Sequence, residues 1–272
     1  MRQSVIILIL GLLLSSCSLI QKMSIGAASD VFYRASEEME TEGNWQVFKK
    51  SVPSNLKLME SLLYLKPHDE ELLVSLIKGH TGYAYAVEET LWLRDDLLDK
   101  ENSEHKHQAL YHYSKAFEYA LRYFEEYDLP YKKLKKSISG KEGVPALLDE
   151  YLDGDEKEDL EAVLFGAQAL AAMVNLQRDD MLMVGELPLA KGLFDWVCEK
   201  NPDINFGACQ VFYGAYYAGR PRMLGGNPEK GKKIFRELMK DRPHNWLAKV
   251  AYMHYYLIPQ AREKEYRALA EQ

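Results

Sequence analysis

His105, His107 and His112 follow Glu101 and Glu104 closely, and imidazoles and carboxylates are the residue types that hold metal ions. On a helix His105 and His112 share a face, but His107 points about 160° away from His105. No two histidines stand four apart, and no His-Glu-x-x-His occurs. This spacing predicts a solvated helix face and no metal site. The chain also lacks a Gly-x-Ser-x-Gly elbow, a phosphate-binding Walker A loop and a dinucleotide-binding glycine motif. Its many carboxylates single out no acid and base, so neither catalysis nor a cofactor is expected.

Two other groups suit binding. Gly225 and Gly226 precede Asn227-Pro228-Glu229, a helix start in which cap, N1 proline and first-turn acid agree. The N–H groups of such a start can cradle an anion, with Arg220 and Arg222 beside them. Local scaffolding is the stronger reading. The glycines allow a tight turn, at least one with positive φ, and the arginines bond carbonyls or acidic neighbours. Further upstream, on a helix over 204–218, Ile204, Gly207, Ala208, Val211, Ala215 and Ala218 recur at helical spacing as a packing stripe. A second row runs Phe206, Gln210, Tyr213, Tyr217, Arg220. Small residues opposite Tyr, Gln and Arg suit a helix that lines a groove or channel, although buried tyrosines commonly just pack with satisfied hydroxyls. Tyr83, Tyr85 and His254 are the candidates to join the lining. Cys198 and Cys209 flank a turn near Pro202. They either form a disulfide or serve as two small buried hydrophobes, the common fate of free cysteine.

The elements that must position these residues read as helices almost throughout. An amphipathic helix spans 24–41, and Asn44 caps the next, which restarts at Ser51-Val52-Pro53 and runs to Leu65. Asp69 caps a long helix towards Trp92, and another covers 101–126. The stretch 127–144, rich in lysine with Pro and Gly, reads as a connector, and Pro145–Leu152 as a short helix. Asp155 is placed to cap a helix through Val174, whose Gly166, Ala167, Ala169, Ala171 and Ala172 let neighbours approach closely. That helix is the expected centre of the stack. Pro188 opens the next.

The last third repeats itself. Shifting by 41 positions places Lys191 on Lys232, Phe194 on Phe235, Pro202 on Pro243, Phe206 on Leu247 and Tyr213 on His254. Each copy is an apolar-periodic run, a proline break and a second run. Leu56–Leu65, the break Lys66-Pro67-His68-Asp69 and the run from Glu70 onward form a third copy. The tetratricopeptide (TPR) period is about 34 residues, and the loop Gly219–Asn227 accounts for the excess. The expectation is an all-α, TPR-like helical repeat: antiparallel hairpins stacked as a compact solenoid, one domain over 24–272.

The start of the chain is an address. After Arg2, Val5–Leu14 is a ten-residue apolar run, short of the about 20 residues that span a bilayer and suited to a signal peptide. It ends in Leu14-Ser15-Ser16-Cys17, the pattern of a bacterial lipoprotein. Residues 1–16 are then a signal peptide, Cys17 the lipidated terminus and 17–23 a tether. Ser18, where a sorting aspartate is absent, favours the outer membrane, facing the periplasm. No transmembrane helix is expected after residue 20. The formal net charge is −7, and loss of Arg2 makes it more negative. Such a surface repels nucleic acid. Hydrophobic content of 47% and aromatic content of 11% indicate a folded chain.

The string FYGAYYAGRPRMLGGNPEKGKKIF (212–235), then NWLAKVAYMHYY (245–256), resembles the TatT family, the T component associated with tripartite ATP-independent periplasmic (TRAP) transporters. NLKLMESLL (55–63), Gly-Tyr-Ala at 82–84 and the lipoprotein signal are similar too, in the same order. The sharpest element is the loop Arg220, Pro221, Arg222, Met223, Leu224, Gly225, Gly226. The resemblance implies a partner of a TRAP-type periplasmic solute-binding protein. It also implies a homo-oligomer, a trimer, with a channel for a small, hydrophobic ligand. By the family pattern, more helix follows the region ending here at Gln272. The alternative is a lipid-anchored TPR-like scaffold for envelope or cell-wall assembly with no small-molecule ligand.

Overall fold

The computed structural model describes residues 29–38 and 41–271, and every regular element among them is helical. The expected signal peptide, Cys17 and the expected tether lie outside the described residues. Of the first expected helix, residues 29–38 (α1) are described. Contacts group into two compact units that divide between Leu193 and Phe194, where the sequence reading expects one domain over 24–272.

In the first unit, α2 (Trp45–Leu65) starts where Asn44 accepts the N–H groups of Gln46 and Val47. These are donors that a helix start otherwise leaves unpaired. The expected restart at Pro53 does not occur, and the helix runs through the proline. After the Pro67 turn, Asp69 accepts Leu72 N–H and opens α3 (Glu70–Tyr83). Leu72, Leu73, Val74, Leu76 and Ile77 of α3 are wholly buried. A helix apolar on all sides needs neighbours on all sides, and α2, α5 (Glu104–Glu126) and α8 (Lys157–Leu176) provide them.

Helix α3 does not end in a cap. It widens into a π turn, Ala84–Glu89, and continues as α4 (Thr90–Leu97). The expected run towards Trp92 is therefore continuous but changes its phase. Glu88 and Glu89 both end up buried. The expected connector over 127–144 holds a short helix, α6 (Tyr131–Ser137), with Leu129 and Leu134 wholly buried, and the short helix expected over Pro145–Leu152 is present as α7 (Gly143–Asp149). Glu156, not Asp155, occupies the cap position of α8, and Asp159 of its first turn accepts the Asp153 N–H. Helix α8 packs on both α3 and α5. At Gly166 an added Cβ would come within 2.8 Å of the Ala120 methyl, so the small residues mark a close crossing. By length and composition α8 is also apolar enough to cross a membrane, but 67% of that window is buried inside this fold. Short α9 (Met181–Val184) leads to α10 (Leu187–Lys200), within which the units divide.

The second unit contains the end of α10, α11 (Ile204–Ala218), α12 (Pro228–Asp241), α13 (Trp246–Tyr252) with a π extension Met253–Leu257, and α14 (Glu263–Ala270). Both predicted hairpins are present. Helix α12 opens as expected, with Asn227 accepting Lys230 N–H and Pro228 in the first turn. Helices α11 and α12 interlock. The Phe235 ring lies against Gly214, and Gly231 faces the Gly214 carbonyl and the Ala218 N–H, each 2.7 Å from where a Cβ would stand. Gly231→Ala should therefore lower stability by about 1–3 kcal/mol through overpacking against backbone. Lys233→Ala on the exposed side should change it by under about 0.5 kcal/mol. Urea unfolding of both variants measures this, and equal midpoints would contradict the contact.

Candidate functional site

The expected lining row fails at its first residue, for a backbone reason. Asn205, Phe206 and Gly207 all have positive φ: 46°, 57° and 97°. Glycine adopts this conformation freely and asparagine tolerates it, whereas a bulky side chain there is strained. Neighbouring helices enforce the turn. Asn245 donates from Nδ2 to the Phe206 carbonyl at 2.8 Å, Arg242 pairs with Asp203 at 2.7 Å, and Leu238 leaves no room for a Cβ at Gly207. Regular helix therefore begins after the turn, and phase counted from 204 does not carry through it. Phe206 leaves the row and is 74% exposed. Gln210 folds back to donate to the Pro202 carbonyl. Of the packing stripe, Gly207 and Ala218 are buried, Val211 and Ala215 pack half-buried against the core, and Cys209 and Gly214 join it.

The same turn decides the cysteines. It points Cys209 at Cys198, and the two are joined as a disulfide with Cα atoms 5.8 Å apart. Beyond it, α11 carries a ladder of half-buried rings. Phe194 stacks on Phe212 at 3.8 Å, and Phe212 meets both Tyr213 and Tyr216. Tyr213 donates to Asp195 at 2.6 Å. Burial first, and Asp195 second, push its hydroxyl pKa well above the usual range. Lys230 lies over the Tyr217 ring at 3.7 Å.

Arg220 closes its own loop. Its guanidinium lies 3.5 Å over the Tyr216 ring and donates to the carbonyls of Tyr216 and Gly225. Gly226 N–H donates to the Pro221 carbonyl, and Asn227 N–H to that of Tyr217. Gly225 has φ 84°, as a tight turn here requires, and a Cβ on Gly226 would stand 1.9 Å from the Arg220 carbonyl. Arg220, Pro221, Arg222, Met223, Gly225 and Gly226 thus form a self-closed loop, the scaffolding reading. Its Met223 side chain is 89% exposed. His254 lies in the π extension of α13, edge-on to Tyr255.

Tyr83 and Tyr85 belong to the first unit. Tyr85 is half-buried, whereas Tyr83 is buried with its ring 4.7 Å from that of His112. Burial, then Glu88, push the Tyr83 hydroxyl up to about 12. The expected solvated histidine face is corrected here. His107 is exposed, but His112 is buried against His80, and His105 pairs with Glu88 at 2.7 Å. Sequence spacing within α5 could not show this, because the partners stand on α3 and in the π turn.

A family model described as TRAP transporter T-component matches residues 41–272. The chain belongs to that family. No curated protein matches it. In this T-component the matched region covers the second unit, the first unit from residue 41 on, the 220–226 loop and every candidate lining residue, and it begins after Cys17. Two features of the T-component were invisible to spacing: the left-handed turn at 205–207 and the buried His80–His112 pair. Asn205-Phe206-Gly207 gives only a faint signal through its Asn and Gly.

Two outcomes follow from this geometry. Gly225→Val should cost about 1–3 kcal/mol from strain at its positive φ, and a thermal midpoint equal to wild type would refute that. Cys209→Ser, which opens a short loop, should cost about 3 kcal/mol. Non-reducing mass mapping should find the 198–209 crosslink in the parent protein.

Proposed function

We propose that this T-component is a lipoprotein, anchored through Cys17 to a bacterial membrane, preferentially the outer one, and facing the periplasm. There it partners a TRAP-type solute-binding protein and binds or channels a small hydrophobic ligand. Family membership over 41–272 carries the association with TRAP transport. The half-buried ladder of α11 supports a ligand-facing role, because rings held on a rigid, interlocked pair of helices offer apolar contact at low entropic cost. Tyr213, Tyr217 and Gln210 remain the proposed lining on that helix, with Arg220 and His254 of the same unit as further members, and Tyr83 and Tyr85 are a separate proposed contact within the first unit. Phe206, turned outward, is better suited to protein contact. The disulfide agrees with an oxidising compartment. We further propose a trimer and a solenoid-like stacking of hairpins, both implied by the family. Nothing in this reading calls for catalysis.

The rival reading, an envelope scaffold without a small-molecule ligand, is favoured by one observation. Tyr213, Tyr217 and Arg220 all have internal partners. The experiment is purification from solubilised membranes with mass spectrometry of bound proteins and small molecules. Recovery of a TRAP solute-binding protein and an apolar compound is expected. Tyr217→Ala should reduce retention of that compound while costing at most about 1 kcal/mol, because the cation–π contact is half exposed. Unchanged retention would favour the scaffold. Cys17→Ala should release the protein from membranes or leave it unprocessed, and mature, lipid-free protein that still fractionates with membrane would overturn the anchor.

A further inference from the structure

The first unit buries a pair of histidines, with charged neighbours, for which the proposed function has no use. His80 of α3 and His112 of α5 face one another, Nδ1 to Nδ1, at 2.9 Å, and both rings are buried. From α2, Glu60 presents Oε1 3.5 Å from His80 Nε2 and accepts the Tyr119 hydroxyl of α5 at 3.0 Å, while its other oxygen pairs with exposed Lys57. From the π turn, Glu88 lies on the His112 side and is held by His105. Tyr83 of α3 and Tyr111 of α5 pack their rings on His112. Lys115 of α5 adds a positive charge that opposes protonation of His80. Helix α8 meets α3 elsewhere, through the Lys78–Glu161 ion pair and the Thr81 bond to the Phe165 carbonyl.

A hydrogen bond between two Nδ1 atoms requires one with a proton and one without. His80 Nε2 makes no hydrogen bond among the described residues, but it faces the Glu60 carboxylate at 3.5 Å, which favours a proton on Nε2 and leaves Nδ1 as the acceptor. His112 is then the donor through Nδ1, and its Nε2 is bare. One added proton can settle on His112 Nε2 with the bond intact, and the negative charge of Glu88 favours it. A second must go to His80 Nδ1, where it faces the His112 N–H. The bond is then replaced by two opposed N–H groups on two like charges in a buried site.

We propose that the His80–His112 pair is an acid-operated latch, whose double protonation parts α3 from α5 at the end that carries the π turn. Burial, reinforced for His80 by His112, holds both imidazoles below the ordinary value of 6.5, His80 at about 4. The sign follows from linkage. The neutral pair contributes fully above pH 6.5, and the contribution is lost as pH falls through about 4. Buried Glu89, which accepts the Tyr113 hydroxyl, works in the opposite sense. Burial raises it from 4.5 to about 7, so its contribution is complete below pH 4.5 and lost as pH rises through 7. Acid thus relaxes one end of the π turn while it loads the histidine pair beside it.

Hydrogen–deuterium exchange on the whole mature protein, corrected for intrinsic exchange rates, tests the latch in segments 76–89 and 109–116. Wild type, His80→Gln and Glu89→Gln are compared between pH 7 and 4. The opening constant of wild type relative to His80→Gln should rise by up to about tenfold per pH unit per proton taken up. Glu89→Gln, lacking the opposing titration, should show the steeper rise. Equal pH dependence in wild type and His80→Gln overturns the proposal. Should His80→Gln fail to fold, NMR titration of the wild-type imidazoles decides. Midpoints well below 6.5, with exchange in 76–89 rising as the second ring titrates, support the latch. Ordinary midpoints, or unchanged exchange, refute it.

Discussion

Helices here meet at backbone distance, and much else in the fold depends on that closeness. Where Gly166 crosses Ala120, or Gly231 crosses Gly214 and Ala218, nothing larger than a methyl group intervenes. Residues flanking such crossings interdigitate, as Phe235 does against Gly214, and dispersion contacts are made on both sides of each ring. The separation of α11 and α12 is thereby fixed. That fixed separation lets α12 and the residues after it reach the 205–207 turn and hold it in a conformation phenylalanine would not choose.

The same closeness has a different result in the first unit. Because α3 is enclosed by α2, α5 and α8, its buried polar residues look for partners in the interior, and among those described Ser75 Oγ finds none. His80 finds His112, Thr81 finds the Phe165 carbonyl, and Lys78 finds Glu161. The π turn then adds Glu89 with Tyr113 and Glu88 with His105. These pairs come from elements far apart in sequence, so the polar interior specifies which helices lie together.

Much of this was readable in the residues. Asn44, Asp69 and Asn227 announce helix starts because capping is local chemistry, satisfied within three residues. The hairpins at Pro202 and Pro243 were legible because proline cannot continue a helix. The loop 220–226 was identifiable as a motif, and its glycines as turn residues. What stayed hidden depends on tertiary contact. Pro53 lies within one unbroken helix, the Phe206 turn is imposed by Leu238, Arg242 and Asn245, and the histidines of α5 pair across to α3 and the π turn. A helical wheel assumes constant phase. It fails where left-handed residues or a π turn change that phase, and so misplaces Phe206 and leaves Glu88 and Glu89 unremarked.

The π turn at Ala84–Glu89 also has a meaning for the gene. Such a turn accommodates one residue more than α-helical hydrogen bonding admits. Deleting a single codon within it would let the ladder close as ordinary α-helix, and because the wide turn already absorbs that extra residue, Thr90 onward would keep its direction about the helix axis. Trp92 and Asp95, buried on α4, would stay in their places, whereas the same deletion within regular helix would swing them by about 100°. This segment is therefore where the long helix can lose a residue without losing its packing. Among relatives, a one-residue gap in an alignment here would report plain helix around the same interior.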